Sequence, residues 1–198
     1  MQRTALWVVG EPGVGKTTLV RHLIKFGRTV MKPKWHLGTY GEHIAAAAGH
    51  YNGQPFDGAD TIPYNGGTVA LDYWAKNLVG NVDLTIFDGD RLSNEPTLKR
   101  AEEVAGFMRN VGGLRLCAVL LYGDEWKLAA RREKRSEQDI TWVRGRRTKA
   151  ANFARQFTDR IELDTTSSDS VVQPAKDFLD GPPRFLDATA RQSGIVWQ

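Results

Sequence analysis

Gly10-Glu11-Pro12-Gly13-Val14-Gly15-Lys16-Thr17 reads G-x-x-x-x-G-K-T, a spacing that suits the binding of a triphosphate. Glycines let successive backbone N–H groups converge on phosphate oxygens without side-chain obstruction. The lysine of such a loop reaches the β- and γ-phosphates, and the hydroxyl after it ligates Mg²⁺. Gly10, Gly13, Val14, Gly15, Lys16, Thr17 and Thr18 are therefore expected to bind ATP, with Thr17 also a metal ligand. A second candidate stretch is Asp88-Gly89-Asp90-Arg91, which follows the apolar run Leu84-Thr85-Ile86-Phe87. A carboxylate at the end of a neighbouring strand holds Mg²⁺ or takes the proton of an acceptor hydroxyl. Asp88 is the expected second metal ligand, and Asp88, Asp90 and Asp60 all remain open as the base.

Positive charge is concentrated in one place. Residues 126–149 hold nine Lys/Arg against three Asp/Glu, whereas the rest of the chain carries 18 basic and 20 acidic groups. Such a patch wants phosphates, whether of a nucleotide or of a nucleic-acid backbone. A solvated cationic helix face is the plain reading of this stretch. Gly145 among arginines, with Trp142 close by, fits a lid over residues 125–149 better, because closing arginines stabilise charge on a transferring phosphoryl group. Arg131 and Arg135 are expected on ATP. Arg144 and Arg146 join Lys16, Asp88, Asp90 and Arg91 as expected catalytic residues. A Gly/Pro/Asn-rich stretch without clear period lies within residues 38–67 and reads as an acceptor-binding insertion. Its candidates are Tyr40, Phe56, Asp57, Asp60 and Tyr64, together with His36 just before it.

These groups need a scaffold. Apolar residues 5–9 read as a buried strand before the loop, and Leu19, Val20, Leu23 and Ile24 mark one helix face after it. Further strands are expected at 35–40, 83–88, 114–121 and 160–164. Helices are expected at 18–25, 68–79, 97–111, from 125 to about 135, at 150–158 and at 171–179. The order predicts an α/β, three-layer P-loop NTPase fold with a five-stranded parallel sheet, as a single domain over residues 1–198. The 198 residues are 41% hydrophobic and 25% charged, which suits a soluble globular protein. No apolar run approaches the roughly 20 residues of a membrane span. The opening residues lead straight into the first strand and leave no room for a signal peptide, so a cytoplasmic location is expected. The single cysteine, Cys117, sits in an apolar run and reads as a buried strand thiol.

The chain lacks the Asn-Lys-x-Asp guanine motif of GTPases, and oligomeric mechanochemical ATPases usually need a longer chain. Over residues 4–180 it resembles the nucleoside and nucleoside-monophosphate kinases among P-loop proteins. Asp88-Gly89-Asp90-Arg91 looks like the Asp-Arg element of thymidylate-kinase-like enzymes, and residues 131–147 look like their lid. More narrowly, Leu37-Gly38-Thr39-Tyr40, Phe56-Asp57-Gly58-Ala59-Asp60 and Trp142-Val143-Arg144-Gly145-Arg146-Arg147-Thr148-Lys149 are similar to phage 5-hydroxymethyluridine DNA kinases. Ala59 stands where that family's pattern carries Thr. The resemblance implies ATP and Mg²⁺ as cofactors and DNA as a partner. It also implies phosphorylation of a base hydroxymethyl group in phage DNA, within the host cytoplasm. A kinase of free deoxynucleoside monophosphates and a non-kinase ATP switch are the alternative readings.

If the loop works as its spacing implies, Lys16→Ala should keep the fold and lose phosphoryl transfer. Circular dichroism and a γ-labelled ATP assay on that variant check both halves, and near-normal turnover would refute the assignment of Lys16.

Overall fold

Ala5, Trp7 and Val9 alternate with Leu6 and Val8 along the first strand, and the two sets enter two different buried clusters. A strand buried on both faces belongs inside a covered sheet, and this one lies inside such a sheet. The structure, a computed structural model, describes residues 1–54, 57–133, 139–166 and 171–183. In chain order the elements begin β1 (Thr4–Gly10), α1 (Lys16–Leu23), β2 (Lys25–Val30), β3 (Trp35–Tyr40) and β4 (His43–Ala48). They continue α2 (Gly67–Tyr73, extended by a π-helical turn Trp74–Leu78), β5 (Leu84–Asp88), α3 (Glu95–Met108) and β6 (Arg115–Tyr122). The last are α4 (Glu125–Glu133), α5 (Ile140–Ala154), β7 (Arg160–Asp164) and α6 (Val172–Asp180).

The architecture is α/β, but the expected five-stranded parallel sheet is corrected. The sheet has seven strands in the order β2-β3-β4-β5-β1-β6-β7 and is mixed. Five of them, β4-β5-β1-β6-β7, run parallel, and β2 and β3 add an antiparallel extension at one edge. Two strands had no clear sequence signal. β2 is exposed along most of its length, so it lacks the apolar alternation that marks a half-buried strand. β4 contains the run Ala45-Ala46-Ala47-Ala48, whose period is invisible because every residue is alike. All four are fully buried, Ala46 and Ala48 on one face and Ala45 and Ala47 on the other. Small side chains suit a strand lying beside Trp35 and near Phe87, because the aromatic volume on one face leaves little room.

Helices cover both faces. Residues of α2, α3 and α5 join one cluster, around Trp7, Trp35, Trp74 and Phe87. Residues of α1, α4 and α6 join the other, around Leu6, Val8 and Ile86. Cys117 lies in the second cluster, and burial raises its thiol far above the usual range. No helix among the described residues is long and apolar enough to cross a membrane.

The lid expectation also changes shape. Residues 140–154 form one continuous helix capped by Asp139, whose carboxylate accepts the Trp142 N–H at 2.8 Å. Gly145 is therefore a mid-helix residue, and a Cβ built there meets nothing within 4 Å. Gly145→Ala should raise stability by about 0.5–1 kcal/mol, since glycine in a helix interior costs that much relative to alanine. An unchanged or lower denaturant midpoint would argue against an ordered helix at that position.

Candidate active site

The loop between β1 and α1 turns on glycines at positive φ, Gly13 (83°) and Gly15 (97°). Gly15 caps α1 without any side-chain bond, so the first-turn N–H groups are left as donors. Gly13, Gly15, Lys16, Thr17 and Thr18 line a cavity of about 550 Å³, within the size range of small-molecule sites. Gly10 and Val14 do not line it. Gly10 is needed for packing, since a Cβ there would lie 2.4 Å from the Leu121 carbonyl oxygen, and Val14 is a buried core residue. The Lys16 Nζ donates to the carbonyls of Gly10 (2.8 Å) and Glu11 (3.0 Å). Loss of hydration lowers the proton affinity of its ammonium, while Asp90, Asp88, Asp60 and Glu11 act in the opposite sense.

β5 lies beside β1 in parallel register, which brings Asp88 level with Val8 at the loop. The Thr17 hydroxyl donates to Asp88 Oδ2 at 3.2 Å. The other oxygen, Oδ1, accepts the Ala59 N–H at 2.9 Å. The buried Tyr51 hydroxyl lies between this carboxylate and the Ala48 carbonyl, 3.5 Å away. Burial holds the Asp88 carboxyl above the usual carboxylate range, against the Ala59 N–H, the Tyr51 and Thr17 hydroxyls and Lys16. Gly58 is required for this contact, because at φ 77° a Cβ would stand 2.6 Å from Asp88 Oδ2. Thr17 and Asp88 together offer one hydroxyl and one carboxylate. That pair could hold Mg²⁺ as this ion is usually held, by one or two carboxylates with waters and substrate phosphates. Among the described residues no group of three or more His, Cys, Asp or Glu could hold a metal ion.

The insertion contributes Asp57, Asp60 and Tyr64 to the cavity. Asp57 is buried, paired with Arg21 of α1, and accepts the Gly53 N–H at 2.7 Å. Asp60 lies on a single 3-10 turn, Ala59–Thr61, and is exposed. His36 and Tyr40 are not brought to the cavity. His36 is buried against Phe26 and accepts the Tyr51 N–H at 3.1 Å; burial, then His50, lowers its proton affinity. Tyr40 donates to Asp180 of α6 at 3.0 Å. Phe56 and Arg135 lie outside the described residues.

The basic segment returns to the loop from the far side of the cavity. Arg146 pairs with Asp90 at 3.1 Å and stacks over Trp142, 5.0 Å from its ring centroid. Arg91 also lines the cavity, whereas Arg144 is exposed away from it and Arg131 donates to the Thr165 carbonyl at 3.3 Å. Sequence reasoning missed Arg132, Asn94, Trp142 and Lys149 as lining residues. Trp142, Arg146 and Lys149 stand at helical spacing on one face of α5, a signal available once 140–154 is read as one helix. Arg132 is buried, lies over Gly13, and pairs with Glu11 at 3.2 Å and with Glu125. Glu11 is itself buried, and burial raises its carboxyl above the usual range despite Arg147 and Arg132.

The raised Asp88 value has a thermodynamic sign. Stability from this group is complete below the ordinary carboxylate pKa and is lost as pH rises through its higher folded-state value. Asp88→Asn should therefore melt higher than the unaltered protein at neutral pH, by about 2–4 °C for each kcal/mol recovered in a chain of this size. The difference should shrink below pH ~3.9, where the carboxyl is protonated in both folded and unfolded chains. Melting curves at the two pH values test this; a variant that melts lower at neutral pH would show that the ionised carboxylate is net stabilising. The chain matches no protein-family model and no curated protein, so the chemistry of the site rests on its own geometry.

Proposed function

We propose that this protein is a P-loop kinase with the P-loop NTPase fold, which transfers the γ-phosphate of ATP to a hydroxyl of a nucleotide-type acceptor. The observation that carries the reading is the hydrogen bond from the buried Asp88 to Thr17, which lines a cavity together with Lys16, Asp60, Asp90, Arg132 and Arg146. Those are the groups phosphoryl transfer requires: donors and cations for the phosphates, oxygen ligands for a metal, and a carboxylate near the acceptor. Loop amides and Lys16 hold the β/γ-phosphates. Thr17 and Asp88 would hold Mg²⁺, which would neutralise charge on the phosphate oxygens. Arg146 and Arg132 stand on the opposite wall, where charge on the transferring group needs compensation.

The acceptor proposed is the 5-hydroxymethyl group of 5-hydroxymethyluracil in DNA. Two features favour a polymer. Arg144 and Lys149 are exposed on α5, the helix whose Trp142, Arg146 and Lys149 line the cavity. Tyr64 and Trp142 are exposed where they line the cavity, and aromatic rings of this kind stack on bases. A base in duplex DNA would have to leave the stack to reach the phosphate loop.

The test offers γ-labelled ATP and Mg²⁺ with three acceptor pools: DNA containing 5-hydroxymethyluracil, ordinary thymidine DNA, and free deoxynucleosides with their monophosphates. Label in the hydroxymethylated polymer alone is expected, with steep loss of DNA binding as salt rises. Label in the small-molecule pool alone would make the protein a kinase of free nucleotides. No label in any pool would leave an ATP-binding switch.

A further inference from the structure

Four carboxylates stand at or beneath the cavity, and three of them are already engaged. Asp88 has both oxygens held, Oδ2 by Thr17 and Oδ1 by Ala59. Asp57 is buried, paired with Arg21 and bonded to the Gly53 N–H. Asp90 is paired with Arg146 of α5. Asp60 lines the same cavity with no hydrogen bond or ion pair among the described residues, and it lies close enough to Lys16 to act on its charge. Its position is nonetheless well defined. The Gly58 N–H donates to the His50 carbonyl at 2.7 Å, the adjacent Ala59 N–H is tied to Asp88, and the Thr61 hydroxyl donates to the Gly58 carbonyl at 2.7 Å. A carboxylate with no partner among the described residues, on a turn anchored to Asp88 and near Lys16, is placed to receive a proton.

We propose that Asp60 is the general base of the transfer, and that Asp90 instead holds α5 against the cavity through Arg146. This assignment rests on the kinase reading above. In the step, the acceptor oxygen forms a bond to the γ-phosphorus as its proton passes to the Asp60 carboxylate. The bond from that phosphorus to the β–γ bridging oxygen breaks, and its electron pair leaves on ADP. Asp88 takes no proton in this scheme, because it lies buried beneath the cavity and is assigned to the metal with Thr17. A positioned general base contributes about 10²–10⁴-fold to such a step.

The experiment compares the full-length unaltered protein with Asp60→Asn, Asp60→Ala and Asp90→Asn, using whichever of the three acceptor pools takes label. Asp60→Asn is expected to lower kcat at least 100-fold while binding of a non-hydrolysable ATP analogue stays within about threefold, a readout that also shows the variant is folded. Formate should restore at least tenfold of the Asp60→Ala rate by replacing the missing carboxylate. Asp90→Asn should act chiefly on KM for ATP. An Asp60→Asn protein with kcat within threefold of the unaltered chain would overturn the assignment, as would an Asp60→Ala rate indifferent to formate. Failure of the unaltered protein to label any pool would instead remove the kinase reading, and this base with it.

Discussion

The Asp88 carboxylate is the point on which the site depends. A buried carboxylate is costly unless its lone pairs find donors, and here the donors come from separate segments. Thr17 belongs to the helix after the glycine-rich loop, and Ala59 and Tyr51 belong to the stretch after β4. Satisfying one group thereby fixes the start of α1, the end of β5 and the insertion relative to one another. Gly58 is part of the same constraint, since only a residue without Cβ lets the insertion lie so close over the carboxylate. Neighbouring Arg21 and Asp57 add a second tie between α1 and the insertion.

The opposite wall is built on the same principle with the signs exchanged. Arg132 is buried over the loop and is compensated by Glu11 and Glu125, while Arg146 is compensated by Asp90. Each of these arginines thus has a carboxylate partner. This arrangement makes the basic segment part of the cavity wall, while Arg147 reaches Glu11 at 3.8 Å and Arg144 remains exposed on the surface.

Much of this was legible in local sequence, and the losses have identifiable causes. The strand, loop and helix around Lys16 were readable because their donors are consecutive residues and their apolar spacing is regular. The strand ending at Asp88 was readable for the same reason. β4 was hidden by its uniform alanines, and β2 by its exposure at the sheet edge. His36 and Tyr40 sit near the insertion in sequence but do not line the cavity. One packs with Phe26 and the other reaches α6, because strand β3 directs them to the sheet face covered by α1 and α6.

Contiguous residues were enough to specify a glycine-rich loop between strand and helix, an α/β layering and a concentrated basic segment, since backbone donors, hydrophobic period and charge density are properties of neighbours along the chain. Folding alone selected which charged groups are free to react. Asp57, Asp60, Asp88 and Asp90 are chemically alike in the sequence. They differ because Arg21, Thr17, Ala59 and Arg146 arrive from distant segments to occupy three of them, while none of the described residues pairs with Asp60. Such pairings depend on through-space distance between chain segments, and local residue order carries no record of that distance.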